Sequence, residues 1–210
     1  MNSKRCFTEL AALSLTLIGH IFCLVSLFIP YWLTLPSGML VNEGYRLGLW
    51  QTCVIQDVGL SVCHGHQTLL GLPLHILLGR VLVCLSVICG AFGFLISAPA
   101  LSCVKCLDEH EQYVRRIFIV IGGTLFILAG ALTICFVSYF AYDVFIKFWD
   151  PSIPKDTPRF EFGISMFLGW VGGLLLLLGG GVLLVSQFWS SRNKTPLRCS
   201  NPTSFTIKSV

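Results

Sequence analysis

The sequence predicts an all-α membrane bundle of four transmembrane helices, with a small β-structure in one extracellular segment. Three observations predict it. Of the 210 residues, 55% are hydrophobic and 11% charged, less than half the charge of about 25% usual in a soluble domain, so an ordinary core cannot take up the apolar surface. Four runs, 10–29, 81–100, 117–140 and 163–185, carry no Asp, Glu, Lys or Arg. The one sizeable polar stretch lies between the first two of them.

The first element is a short N-terminus, 1–9, followed by the run Leu10 to Ile29. A helix of that length crosses about 30 Å of hydrocarbon at a rise of about 1.5 Å per residue. Its polar liability is His20, expected as a neutral imidazole hydrogen-bonded inside the bundle rather than a proton relay. A cleaved signal peptide is the competing reading, because Lys4 and Arg5 precede the run. Against it, the apolar stretch is too long and ends in Pro30-Tyr31-Trp32 without a small-residue cleavage site.

Four spans put both termini on one side. With the termini in the cytosol, nine basic residues lie inside (Lys4, Arg5, Lys105, Arg115, Arg116, Arg192, Lys194, Arg198, Lys208), against five outside (Arg46, Arg80, Lys147, Lys155, Arg159). Cytosolic termini follow from the positive-inside rule. The formal net charge of +4 is explained by this orientation and not by nucleic acid, since the basic residues form no long cluster or stripe. The topology gives outer segments at 30–80 and 141–162, a cytosolic loop at 101–116 and a cytosolic tail at 186–210.

The first outer segment holds short alternating pieces such as Thr52 to Val58, broken by glycines at 44, 48, 59 and 65, which read as small strands with turns. So few residues need a staple, and Cys53 with Cys63 offers one on the oxidising side. The other cysteines fall within spans (Cys23, Cys84, Cys89, Cys135) or face the cytosol (Cys6, Cys103, Cys106, Cys199). Cys103 and Cys106, just past the second span, are candidates for palmitoylation. No partner pair completes a zinc site with them. His64 and His66 share a strand face, but two ligands do not make a metal site. No metal or other cofactor is expected, and no nucleophile has an evident base partner, so no enzymatic activity is expected either.

Glycines cluster in the third and fourth spans, and Gly169-x-x-x-Gly173 fits a helix-association face, used within the bundle.

Trp32, then Gly48-Leu49-Trp50, then Cys53 and Cys63 form an order that resembles the signature of the claudin family. The similarity continues through Arg80, Phe148-Trp149-Asp150-Pro151, Glu161-Phe162-Gly163 and Phe167-Leu168-Gly169-Trp170. The resemblance implies a left-handed four-helix bundle carrying an extracellular sheet, with strands from the first outer segment and one from the second. It implies a structural and adhesive component of tight junctions at the plasma membrane. Such a protein polymerises with itself and other claudins in cis and docks in trans, contributing to the paracellular barrier. Phe148 and Trp149 are the candidate trans contact. The Gly-Leu-Trp and cysteine part is shared with peripheral myelin protein, epithelial membrane proteins and calcium-channel gamma subunits, so an auxiliary subunit modulating a channel or receptor is the alternative.

The interval from Trp32 to Gly48 looks shorter than is usual in claudins, and Asp150-Pro151-Ser152 departs from the enterotoxin-binding pattern of some members. The end Ser209-Val210 replaces the common Tyr-Val, yet a terminal apolar residue suits the groove of a PDZ scaffold protein. Before Arg80 the first outer segment has only Glu43, Arg46 and Asp57 as charged residues, which favours a barrier or adhesive subunit over a strongly selective channel.

Overall fold

A computed structural model describes residues 2–35, 43–56, 60–65, 72–101, 109–148 and 160–192. Four long helices dominate it: α1 (Asn2–Phe28), α2 (Leu74–Ser97), α3 (Glu109–Phe148) and α4 (Ile164–Arg192). Each is long and apolar enough to cross a membrane. The helices run past the charge-free runs. With 40 residues, α3 is about 60 Å long, about twice the hydrocarbon thickness, and the first eight residues of the segment 141–162 are helical. Asp143 and Lys147, one turn apart and 2.8 Å from N to O, support that extension. Helix α2 starts at Leu74, which puts Arg80 inside it.

Helix α4 packs along α1 and α3, α3 also packs along α2, and α1 meets α2 over a smaller area. Missing side chains make the close crossings. A Cβ on Gly172 would lie 2.8 Å from the Gly19 carbonyl oxygen of α1, and one on Gly173 would lie 2.7 Å from Ile134 of α3. Gly169 faces Val137 and Ser26, so the Gly169-x-x-x-Gly173 motif is consumed inside the bundle, as expected.

Polar groups inside the bundle are mostly paired. Ser86 of α2 donates to the Ala129 carbonyl of α3 at 2.7 Å. Glu9, 1% exposed, accepts a 2.7 Å hydrogen bond from Gln187 Nε2 of α4. The expectation for His20 needs correction. Its ring is buried against Gly90 and edge-on to Phe94, with centroids 5.6 Å apart, but its Nδ1 has no hydrogen-bond partner among the described residues. Aromatic and backbone packing fills the space where a partner would stand.

The strands form one antiparallel sheet in the order β4-β3-β2-β1-β5: β1 is Leu33–Leu35, β2 Glu43–Leu47, β3 Gln51–Gln56, β4 Ser61–Gly65 and β5 Glu161–Phe162. The reading of the glycines as strand breakers is corrected at two positions. Gly44 lies in β2 opposite Ile55, and Gly65 pairs with Gln51, because a ladder needs only backbone groups at a given rung. Gly59 falls outside the described residues. Cys23, Cys84, Cys89 and Cys135 are free thiols. Cys6 is disulfide-bonded, whereas the sequence placed it among the cysteines that face the cytosol.

Candidate adhesive surface

The chain leaves α1 at Pro30, and proline has no N–H to give the carbonyl of Ser26, four residues back, its helical partner. The indole of Trp32 supplies the missing donor: Nε1 lies 2.9 Å from the Ser26 oxygen. Its ring packs on Phe136 and Phe140 of α3 at centroid distances of 5.5 and 5.6 Å, within a cluster that includes Leu49, Val83 and Met166. Trp32 is 1% exposed. Its backbone then joins both outer segments, since its N–H donates to Leu47 and its carbonyl accepts from Gly163. Ser165 completes the seam: its N–H donates to Tyr31, its hydroxyl to Ile29, and its carbonyl accepts from the Ser26 hydroxyl at 2.7 Å. A Cβ on Gly163 would fall on the Tyr31 carbonyl, so this crossing requires glycine.

The Gly48-Leu49-Trp50 turn is the second anchor. A Cβ at Gly48 would lie 2.5 Å from Pro30 Cα, and its N–H donates to the Gln51 carbonyl. Leu49 plugs into the core over Gly79 of α2. Arg80 Nε donates to the Leu49 carbonyl at 2.7 Å, and the guanidinium stacks 4.9 Å from the exposed Trp50 ring. One cation thus holds the turn by a hydrogen bond and a cation–π contact.

Beyond these anchors stands the sheet. The Cys53–Cys63 disulfide joins residues directly opposite in β3 and β4. All five residues of β4 are exposed, including Val62, and Leu60 beside them is 62% exposed. The other edge of β4 has no strand partner among the described residues. An exposed edge with apolar side chains is a template for pairing with another chain. Arg46 and Asp143 are held close to the protein, while Glu161 of β5 is exposed. Arg46 stacks 4.4 Å from the Tyr31 ring centre and donates to the Tyr31 hydroxyl at 2.5 Å. Near the start of α2 and the end of α3, Asp143 bonds Lys147 and faces His75 Nδ1 at 3.7 Å.

The structure therefore brings together Trp32, Gly48, Leu49, Trp50, Arg80, Cys53 and Cys63. Phe148 ends α3. Trp149, Cys103, Cys106, His66, Ser209 and Val210 lie outside the described residues, and His64 is exposed on β4. Sequence reasoning missed Ser26, Tyr31, Ser165, Phe136 and Phe140, which hold the sheet to the bundle. One signal was available: Pro30 leaves an orphan carbonyl four residues back, and an indole follows at once.

Comparison with known proteins gives a consistent result. The profile of the PMP-22/EMP/MP20/Claudin family matches residues 7–184. The chain is 31% identical to claudin-4 of Chlorocebus aethiops over 178 residues, covering 83% of this chain and 84% of that protein. It is 31% identical to claudin-6 of Homo sapiens, covering 83% and 80%, and 30% identical to claudin-3 of Canis lupus familiaris, covering 85% and 82%.

Proposed function

The chain belongs to the PMP-22/EMP/MP20/Claudin family, and from that premise we propose that it is a claudin-like adhesive component of tight junctions. It acts as a multi-pass plasma-membrane protein that associates with itself and other claudins in cis and in trans, contributing to the paracellular barrier. Its role is structural, not catalytic. The observation that carries this reading is the disulfide-stapled sheet, clamped to the bundle at Trp32 and Leu49, with β4 exposed along its length. A rigid frame presenting an exposed strand favours contact with other chains. The tying of Arg46 to Tyr31 supports a barrier over a strongly selective pore, since selectivity needs charge projecting into the path.

The termini are cytosolic in this reading, Ser209 and Val210 enter the groove of a PDZ scaffold, and Cys103 and Cys106 carry palmitoyl groups. Orientation has a direct check. Asn193-Lys194-Thr195 is a formal glycosylation sequon, and in the cytosol it never meets the luminal transferase. It is expected to stay unmodified; a glycosidase-sensitive mass shift that vanishes in Asn193→Gln would reverse the orientation.

Adhesion is tested in epithelial cells that lack strands, where the chain is expected to concentrate at cell-cell borders. Phe148 and Trp149 are proposed as the facing contact, because aromatic anchors dominate association and truncating one can cost about 2 kcal/mol or more. Border enrichment and surface delivery are measured together in the Phe148→Ala, Trp149→Ala double variant. Normal delivery with reduced enrichment is the expected result. Undiminished enrichment sinks the assignment of these residues, and absence of the unmutated chain from borders sinks the junctional reading.

A further inference from the structure

Helix α1 meets α2 over a smaller area than it meets α4, and His20 stands at that contact, midway along the run Leu10 to Ile29. His20 is 8% exposed. A Cβ on Gly90 of α2 would lie 2.5 Å from its Nδ1 and 2.8 Å from its Cε1, so the imidazole fills the space that this glycine leaves open. Phe94, one turn further along α2, meets the ring edge-on and leans in turn on Phe126 of α3, with centroids 4.7 Å apart. Nδ1 has no hydrogen-bond partner among the described residues.

We propose that the His20–Gly90 contact is an acid-sensitive joint between α1 and α2, closed around the neutral imidazole and opened when the ring takes up a proton. The neutral ring packs there as an aromatic, whereas an ionised one would stand desolvated and unpaired. The groups around it offer no compensation. Helix α2 presents Gly90 and Phe94, and α3 reaches the site through Phe126. The thiols of Cys23 and Cys89 gain no charge in acid, and Cys23 faces Thr133 and Gly172. Charge stands far off along each helix: Glu9 is eleven positions from His20, Arg80 ten from Gly90 and Arg116 ten from Phe126, about 15 Å in each case. Helix α4 carries no Asp, Glu, Lys or Arg before Arg192. Opening lets water reach the ring, while α1 keeps its longer seam with α4. Because the proton binds the open form alone, the joint has its full strength above about pH 6.5, where imidazole is ordinarily neutral, and weakens about tenfold per unit below it.

The test is unfolding of the purified full chain in nonionic detergent micelles by added dodecyl sulfate, compared between wild type and His20→Leu, which stays apolar and cannot titrate. From about pH 7.5 to about pH 5.5 the folded-to-unfolded ratio of wild type is expected to fall about tenfold more than that of His20→Leu. His64, His66, His75 and His110 titrate in both chains, so their contribution cancels in the comparison. His20→Gln, neutral over the same range, is expected to match His20→Leu and serves in its place should leucine overpack the site. Nuclear magnetic resonance of wild type carrying isotope-labelled histidine reads the ring directly, with the His20 signal identified by its loss in His20→Gln. That ring is expected to stay neutral in the folded chain at about pH 5.5. Equal acid sensitivity of wild type and the variants, or a folded chain whose His20 carries a proton at that pH, overturns the proposal.

Discussion

Cys53→Ala and Cys63→Ala are each expected to lower delivery of the chain to the cell surface severalfold, and much more than Cys23→Ala does. The reason lies in how little else holds β4. All five of its residues are exposed, so it buries no side chain in the core, and it is tied to the sheet by its pairing with β3 and by the disulfide. Closing the short loop between the two cysteines stabilises by about 2 to 4 kcal/mol, a large share of the stability of so small a unit. Cys23, by contrast, is a buried free thiol within a long helix, where truncation removes a single small group. Surface biotinylation of the three variants makes the comparison. Equal delivery of Cys53→Ala and Cys23→Ala, or labelling of both native thiols by an impermeant alkylating reagent on intact cells, would refute it.

The contrast between β4 and the helices also explains what the sequence could reveal. The spans were legible because lipid excludes charge over a continuous stretch, and that exclusion is written in adjacent residues. Trp32 and Gly48-Leu49-Trp50 were legible as anchors because large apolar groups stand out in a polar segment. The partners of those anchors were not. Ser26 meets Ser165 across 139 positions, and Glu9 meets Gln187 across 178; nothing local in either residue marks such a pairing. Helix ends are a separate matter from the span bounds. A charge-free run reports where hydrocarbon is the solvent, whereas a helix continues as long as its backbone bonds are satisfied, as α3 does past Asp143 and Lys147. Gly44 and Gly65 misled because composition speaks for turns while the register of neighbouring strands decides.

Replacement of Trp32 is expected to have the largest effect of any single change in the chain, and two substitutions separate its two roles. Trp32→Phe keeps an aromatic ring against Phe136 and Phe140 but removes the Nε1 donor from the Ser26 carbonyl. Pro30 cannot replace that donor, so a buried acceptor is left unpaired at a cost of about 1 to 3 kcal/mol. Trp32→Ala loses the donor and also empties the space at the junction of α1, α3 and the sheet. Deleting a buried aromatic side chain costs about 3 to 5 kcal/mol. The damage reaches beyond the cavity, because the backbone of Trp32 pairs with Leu47 on one side and Gly163 on the other. Loosening it therefore frees both outer segments from α1. Thermal unfolding in detergent is expected to rank wild type above Trp32→Phe and Trp32→Ala lowest, with the sheet of Trp32→Ala cut by protease while the helices stay protected. A Trp32→Ala protein as stable as Trp32→Phe would show that the ring is an interfacial anchor and not the joint between sheet and bundle.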